Sequence, residues 1–569
     1  MQARGELIER LRAGRVPDIL IVGGGINGVG VFRDLAAQGV GALLVEAGDF
    51  SSGTSAAPSR LIHGGLRYLE TGEARLVRES LVERNLLLKN AHHVVHPQPI
   101  WVPLKNRFGG ALTALARFLR LTTRPGPKGL VPVWIGLKLY DVFGRAHQTM
   151  PNHRMLSGDA ARREMPVLGP DVFGVGEYYD ARITHPERLV LELVADAEAD
   201  CADSFALPYV AAGAQHDGAI DLTDRVTGKV FQVRPKLVIN AAGAWVDRVQ
   251  GGFGFGGRLI GGTRGTHLVI DKPDLTRAMA GRMLYFETAD HRACLALPLD
   301  ERHLYVGTTD VRTDDPDDRN FTEAEIDYIF DVLRPVLPGQ SFDRSEIVFA
   351  MAGVRPLPLQ KADVPGQISR DHRLDRHGPA PGRPFETLVL VGGKWTTYRA
   401  FGEQVVDWVL AWRGRPRTCR TDTLAIGGAR ELPREAAEKA RWVQALAQDT
   451  GIDAVRARIL CDRYGSGARR IAAAEAADSR QFSDLAAYTP AEIGAICAAE
   501  RVTHLQDIVL RRTLMGFEGL LTDTRLDEIA QVASRALGWS DDRTQAERAE
   551  TRRLLQERHL VNLGRTQPG

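Results

Sequence analysis

The stretch Asp18-Ile-Leu-Ile-Val-Gly-Gly-Gly-Ile-Asn-Gly28 is an apolar run that breaks into glycines, and it is answered by Glu46 at the end of a second apolar run, Ala42 to Val45. The order reads as a buried strand, a turn whose glycines let backbone approach a pyrophosphate, and a helix whose first N–H groups and partial positive charge face that pyrophosphate. Glu46, 18 positions after Gly28, falls at the tip of the neighbouring strand, where a carboxylate accepts hydrogen bonds from ribose hydroxyls. Glycines at this spacing also occur in ordinary tight strand-to-helix turns. The strand before them, the helical pattern after them and the acid beyond together mark a dinucleotide site.

Working outward, 569 residues exceed what one core usually supports, so two or three domains are expected. With 44% hydrophobic and 25% charged residues the composition is that of a globular protein, and a net charge of +2 argues against a nucleic-acid surface. Five scattered cysteines, Cys201, Cys294, Cys419, Cys461 and Cys497, form no C-x-x-C pair, so no metal is expected and reduced thiols in a cytoplasmic setting are. No window is long and apolar enough for a span, and the first sixteen residues lack the apolar stretch of a signal peptide. One stretch breaks the charge balance: between Lys105 and Arg145 eight basic residues stand against the single acid Asp141, interleaved with Phe108, Leu112, Phe118, Trp134 and Tyr140. A basic, aromatic, amphipathic segment lies in a headgroup layer or packs on its own domain with a solvated basic face, and composition does not choose between them.

Residues 18 to about 60 read as strand, helix, strand and loop, and a charged helix follows from about Glu73 to Asn90. Thr184 and Glu187, with Pro186 in the first turn, form a capping-box pattern that predicts a helix to about Asp200. Two further buried strands, Leu237 to Asn240 and Thr387 to Val391, both stop at small residues, as the floor of a cofactor site requires. Leu295 to Leu297 and Leu304 to Val306 read as strands of a second sheet. Beyond Arg413-Gly-Arg-Pro416 the pattern turns helical, for example at Glu435 to Ala447 and Leu526 to Leu537. The division expected is an N-terminal extension (1–17), an oxidoreductase region (18–415) and a C-terminal helical domain (416–569).

Six segments carry a resemblance: Gly23-Gly-Gly-Ile-Asn-Gly28, Arg60-Leu-Ile-His-Gly-Gly-Leu-Arg-Tyr-Leu-Glu70, Val306-Gly-Thr-Thr-Asp310, Ala352-Gly-Val-Arg-Pro-Leu357, Gly392-Gly-Lys-Trp-Thr-Thr-Tyr398 and Leu510-Arg-Arg-Thr513. In order and over nearly the whole chain, the sequence resembles the FAD-dependent glycerol-3-phosphate dehydrogenases. The resemblance implies an α/β (α+β) fold, with a Rossmann-type FAD-binding domain, an inserted substrate-binding β-sheet domain and a C-terminal all-helical domain. It also implies oxidation of sn-glycerol 3-phosphate to dihydroxyacetone phosphate, electrons passed to a membrane quinone, and peripheral attachment on the cytoplasmic face. The basic segment 105–145 is the expected anchor, and dimerisation stays open.

Oxidising a secondary alcohol on a flavin needs a base for the hydroxyl proton and an anion clamp for the phosphate. Arginine supplies paired charge-assisted hydrogen bonds, with lysine as a point charge beside it. Arg355, Lys394, Arg67 and Tyr68 are the candidates for binding substrate. His267, in Arg264-Gly-Thr-His267, matches the family pattern before a strand and is the expected base, with Lys394 its rival; a structural histidine beside a strand is the plainer reading. By position the resemblance assigns cofactor contacts to Gly23, Gly25, Gly28, Glu46, Thr54, Ser55, Leu61, His63, Gly64, Gly65, Gly243, Gly393 and Thr396, and Val210 to the adenine through backbone groups. Pro58-Ser59-Arg60 departs from the family's hydroxyl residue and lysine, which puts the contacts of that loop in question. Other readings are a soluble oxidase that reduces oxygen, a flavin amine oxidase using Arg355 on a carboxylate, and a non-catalytic flavin-binding scaffold. The cluster of Arg67, Arg355 and Lys394 argues against the scaffold, which has no use for it.

Overall fold

The computed structural model describes residues 4–14, 16–66, 73–107, 109, 129–145, 148–288, 292–360 and 371–564. Ile19–Val22 is a central strand buried along its whole length. It pairs in parallel with Leu43–Val45 on one side and Leu237–Asn240 on the other. The full sheet runs Arg373–His377, Glu386–Val391, Leu237–Asn240, Ile19–Val22, Leu43–Val45, Phe205–Leu207, with the first strand antiparallel at the edge. Uninterrupted apolar runs suit such strands because both faces are covered. On one face Ile26–Ala37 packs with Pro186–Asp200 and Tyr398–Trp412 around Val29, Phe32, Leu189, Phe401 and Val405. On the other lie the antiparallel strands Val210–His216, Ala219–Asp224 and Val230–Val233 and the helix Arg4–Arg12. That helix buries Leu7, Ile8 and Leu11, and Arg4 reaches Asp224 at 2.5 Å, so the helix is part of this layer.

The second sheet, ten-stranded among the described residues, carries the candidate base. Its order is Val311–Arg312, Thr263–Asp271, His303–Gly307, Ala293–Pro298, Met283–Glu287, Val95–Leu104, Gly174–Ile183, Leu61–Ile62. Ile347–Arg355 joins the edge of Thr263–Asp271, and Arg154–Ser157 joins Gly174–Ile183. Leu61–Ile62 leaves the dinucleotide loop and enters this sheet directly, so one short segment links the two sheets.

Beyond residue 435 the helices Ala436–Thr450, Ala454–Tyr464, Ala468–Ala477, Pro490–Ala499, Asp523–Leu537 and Asp541–His559 share a core with the second sheet, where Tyr305 and Phe349 pack against Phe517 with ring centroids 5.7 Å apart. A buried ionic cluster pins them to the dinucleotide loop. Asp49 accepts from Arg511 Nε at 2.5 Å and from Arg512 Nη2 at 2.9 Å, while Asp507 accepts from Arg511 Nη2 and Tyr209 Oη at 2.6 Å each. Charges this deeply buried persist only when each has such partners.

The capping box expected at Thr184 is not formed. His185 occupies the cap position of Pro186–Asp200, and the Thr184 hydroxyl turns instead to the Val94 carbonyl at 3.2 Å, because Thr184 continues the pairing of the strand before it. Of the basic segment, the helix Leu130–Phe143 is described; residues 108 and 110–128, with Arg117, Arg120 and Arg124, lie outside the described residues. Among the described residues no helix is long and apolar enough to cross a membrane, and no His, Cys, Asp or Glu group is arranged to hold a metal ion.

Candidate active site

The dinucleotide turn is built on steric necessity. Gly23 has φ 116°, and a Cβ there would lie 2.5 Å from the Ala241 carbonyl oxygen; a Cβ at Gly28 would collide with the Gly23 carbonyl. Gly25 occupies the N-cap, and the Ile26 N–H donates to Ser55 Oγ at 3.0 Å, so Ser55 stitches the following loop to the helix start. Glu46 accepts from the Gly24 N–H at 2.7 Å and the Gly48 N–H at 2.8 Å. Burial nevertheless raises its pKa against those two hydrogen bonds. Thr54 donates to the Val354 carbonyl at 2.6 Å and so ties the loop to the second sheet.

The other expected cofactor contacts frame the same strand ends. Gly243, with φ 57°, opens a short 3₁₀ turn, and a side chain there would meet nothing within 4 Å, so its strand end looks onto free space. Gly393, with φ 100°, lies against Asn27 on the first helical turn; Asn27 Oδ1 is buried without a hydrogen-bond partner. The His63 N–H donates to Thr396 Oγ1 at 3.2 Å, and Leu61 pairs with Arg182. The Gly64 N–H points to Tyr140 Oη at 2.9 Å, and Gly65 takes φ 79°. Val210 spends its N–H on the Glu46 carbonyl at 2.8 Å, so that amide is not the group that would meet an adenine. A glycine turn, a helix N-terminus, an acid at the second strand tip and an orphaned Asn27 oxygen are the donor and acceptor set an FAD needs.

Thr263–Asp271 alternates its side chains between two environments, and both matter. Thr263 lies opposite Arg355, Gly265 opposite Gly353 and His267 opposite both Met351 and Gly307. The absent side chain of Gly265 is the space the Arg355 guanidinium fills. Arg355 donates to Thr308 Oγ1 at 2.7 Å and to the Thr309 carbonyl at 3.3 Å, and pairs with Asp310 at 3.2 Å. His267 is 2% exposed and stacks on Tyr305, with ring centroids 5.0 Å apart at 10°. Both its ring nitrogens are buried and unpartnered. Burial, then the positive charge of Arg355, pull its pKa down to about 3. A Cβ on Gly307 would lie 2.5 Å from the imidazole, so that position also must be glycine.

On the opposite face, Arg264 and Thr266 reach Glu325 at 2.8 and 3.0 Å, and Thr309 joins them at 2.6 Å. Burial alone would raise the Glu325 pKa; the hydrogen bonds from Thr309, Thr266 and Arg264 and the Arg264 charge together lower it. This carboxylate clamps the turn that carries Thr308 and Asp310, and through them Arg355. Sequence reasoning quoted Thr308, Thr309 and Asp310 only as part of a motif and missed Glu325, although Thr322 and Glu325 spell a capping box that the helix Glu323–Leu333 forms.

The structure thus brings His267 and Arg355 together. Lys394 belongs to other neighbours: it is 9% exposed and its Nζ donates to Ser80 Oγ at 3.2 Å on the helix Ala74–Asn90. Arg67 and Tyr68 lie outside the described residues. Arg60 turns away from the dinucleotide turn: it is 3% exposed, donates to the Thr184 carbonyl and lies 3.6 Å over the Phe517 ring, while Pro58 offers its carbonyl to Tyr305 Oη at 2.8 Å.

Comparison with known proteins shows the family. Residues 18–408 match the family described as FAD dependent oxidoreductase, and residues 419–544 match the C-terminal domain of alpha-glycerophosphate oxidase. A glycerol-3-phosphate dehydrogenase of Synechocystis is 36% identical over 436 residues, 73% of this chain and 74% of that protein. Glycerol-3-phosphate dehydrogenase 1 of Mycobacterium bovis is 31% identical over 517 residues, 89% of this chain and 92% of that protein. The crystal structure of the glycerol-3-phosphate dehydrogenase from Bacillus halodurans complexed with FAD shares the fold, with a TM-score of 0.71 at 23% identity over 97% of each chain.

Proposed function

Since the chain belongs to the FAD-dependent glycerol-3-phosphate dehydrogenase/oxidase family, we propose that it oxidises sn-glycerol 3-phosphate to dihydroxyacetone phosphate and passes the electrons to a membrane quinone. FAD, when bound, accepts the hydride that leaves the carbinol carbon. The observation that carries the reading is the pairing of a neutral, unpartnered His267 with the fixed guanidinium of Arg355 on adjacent strands. Gly23, Gly25, Gly28, Glu46 and Gly393 hold the cofactor in this reading, and Arg355 holds the phosphate, while Lys394 stays with Ser80.

Arg355 binds the phosphate dianion through a planar fork whose orientation Thr308 and Asp310 have already set, so little side-chain freedom is lost on binding. His267 then takes the hydroxyl proton on a ring nitrogen. In the free enzyme burial, and after it the Arg355 charge, make it a weak base; a bound dianion offsets the Arg355 charge and so favours the imidazolium, and that part of its base strength arrives with substrate. Tyr305, stacked on the ring, keeps water from its face.

For the acceptor, the helix Leu130–Phe143 exposes Trp134, Ile135 and Val142 while burying Val133, Leu137 and Tyr140. In this reading the exposed side of the helix, where Lys138 lies over the Trp134 ring, is the surface for peripheral attachment on the cytoplasmic face, near a lipid-soluble quinone. The deciding experiment is anaerobic addition of sn-glycerol 3-phosphate to the purified holoprotein, followed by a quinone analogue or oxygen. Bleaching of the flavin band and rapid recovery with the quinone are expected. An unchanged band refutes the substrate, and recovery as fast with oxygen refutes the acceptor.

A further inference from the structure

Gly64 belongs to the Gly64-Gly65 turn, and its N–H is claimed from behind. It donates to Tyr140 Oη at 2.9 Å and, at a longer 3.3 Å, to Asp180 Oδ1. The Tyr140 hydroxyl itself donates to Asp180 Oδ1 at 2.6 Å, so the one hydroxyl both accepts from the turn and donates to the acid. Asp180, 1% exposed on the strand Gly174–Ile183, also accepts from Arg84 Nη1 at 2.7 Å. Arg84 is held in turn by Asn85 Oδ1, at 3.1 Å from Nε and 3.0 Å from Nη2, and Asn85 Nδ2 donates to the Gly144 carbonyl at 3.2 Å. The chain of hydrogen bonds therefore starts and ends on the helix Leu130–Phe143 and its C-cap, and its middle grips the turn.

Nothing in the proton transfer uses Tyr140, Asp180 or Arg84. All three are buried, and a buried polar network is kept only when its members are satisfied, which here they are by one another. The turn is steered on both sides: the His63 N–H is held by Thr396, which follows the second glycine strand end, and the Gly64 N–H by Tyr140. A side chain on Gly64 would collide with Leu81 and lie 2.6 Å from the Tyr140 hydroxyl, so the packing leaves the turn a single position.

We propose that Tyr140, oriented by Asp180 and Arg84, is a positioning residue that sets the Gly64-Gly65 turn against the flavin. The inference rests on the proposed function for the flavin's place beside this turn. It makes the helix with the exposed Trp134, Ile135 and Val142 part of the cofactor site's frame: its outer face meets the surroundings, and its inner face holds the turn by one hydroxyl.

The test compares holoenzymes of the wild type, Tyr140→Phe and Tyr178→Phe. Tyr178 is the edge-on neighbour of Tyr140, with centroids 5.6 Å apart, and has no bond to Gly64, so it controls for loss of a buried hydroxyl nearby. FAD content, thermal midpoint, the visible absorption and midpoint potential of the bound flavin, and its anaerobic reduction by sn-glycerol 3-phosphate are measured. Expected for Tyr140→Phe are wild-type FAD content, a folded protein whose thermal midpoint drops by only a few degrees, a displaced flavin band and potential, and reduction at saturating substrate roughly tenfold slower with half-saturation within about twofold. Tyr178→Phe is expected to match the wild type. Wild-type band, potential and rate in Tyr140→Phe overturn the inference, and so does loss of FAD or of the fold, which makes the residue merely structural. If the wild type itself is not reduced, the substrate reading fails, and the band and potential still decide the role of Tyr140.

Discussion

His267 is held neutral by its surroundings, and this makes a measurable contribution to stability. Its pKa falls from 6.5 to about 3 in the folded protein because burial, and then Arg355, disfavour the cation. Between those values the unfolded chain binds the proton and the folded one does not, so stability is fully present above the unfolded pKa and is lost as the pH falls toward the folded one. At pH 5 an imidazole of pKa 6.5 is almost wholly protonated when unfolded, and with 1.36 kcal/mol per unit the loss between pH 7 and pH 5 is about 2 kcal/mol. His267→Gln has no proton to exchange and lacks this component, whatever it costs at neutral pH. Urea unfolding of both holoproteins, followed by tryptophan fluorescence at pH 7 and pH 5, isolates the term, since every other titrating group cancels. The wild type is expected to lose about 2 kcal/mol more than the variant. Equal losses would show that the imidazole is free to charge, and the account of a base awaiting its substrate would be wrong.

Arg355→Ala removes the fixed fork and should raise KM for sn-glycerol 3-phosphate roughly a hundredfold, the equivalent of about 3 kcal/mol in charge-assisted hydrogen bonds. Steady-state kinetics checks this, and an unchanged KM places the phosphate elsewhere. Asp49→Asn leaves Arg511 and Arg512 buried against a neutral partner and should destabilise the holoprotein by about 3–5 kcal/mol; a thermal midpoint equal to that of the wild type rejects this cluster as the bolt between the helical domain and the dinucleotide loop. Replacing exposed Trp134 and Ile135 together by Asp should abolish sedimentation with anionic vesicles at low salt, since each forfeits about 2 kcal/mol of apolar burial. Undiminished sedimentation assigns any attachment to another surface.

Local pattern was enough for the parts of this protein whose physics is local. The apolar run Ile19–Val22, the glycines after it, the acid at position 46 and the strands ending at Gly243 and Gly393 are legible because backbone geometry and burial on both faces dictate them within a few residues. The capping pattern at Thr184 misled because a strand carbonyl, that of Val94, competes for the same hydroxyl, and that competitor is 90 residues away. Lys394 and Arg355 have equal standing as letters after glycines; only the fold sends one to Ser80 and the other across Gly265 toward His267.

From the chain of letters came a dinucleotide fold and, by the resemblance its motifs carry, a flavin and a list of cations suited to a phosphate. Tertiary structure decided which of them meet: Arg355 with Asp310 and His267, Glu325 beneath them, Tyr140 behind the glycine turn. The reason is the range of the forces involved. Strand and turn preferences are settled by neighbours in sequence, whereas burial, charge coupling and hydrogen bonds between side chains depend on distances in space that only the packed sheets define.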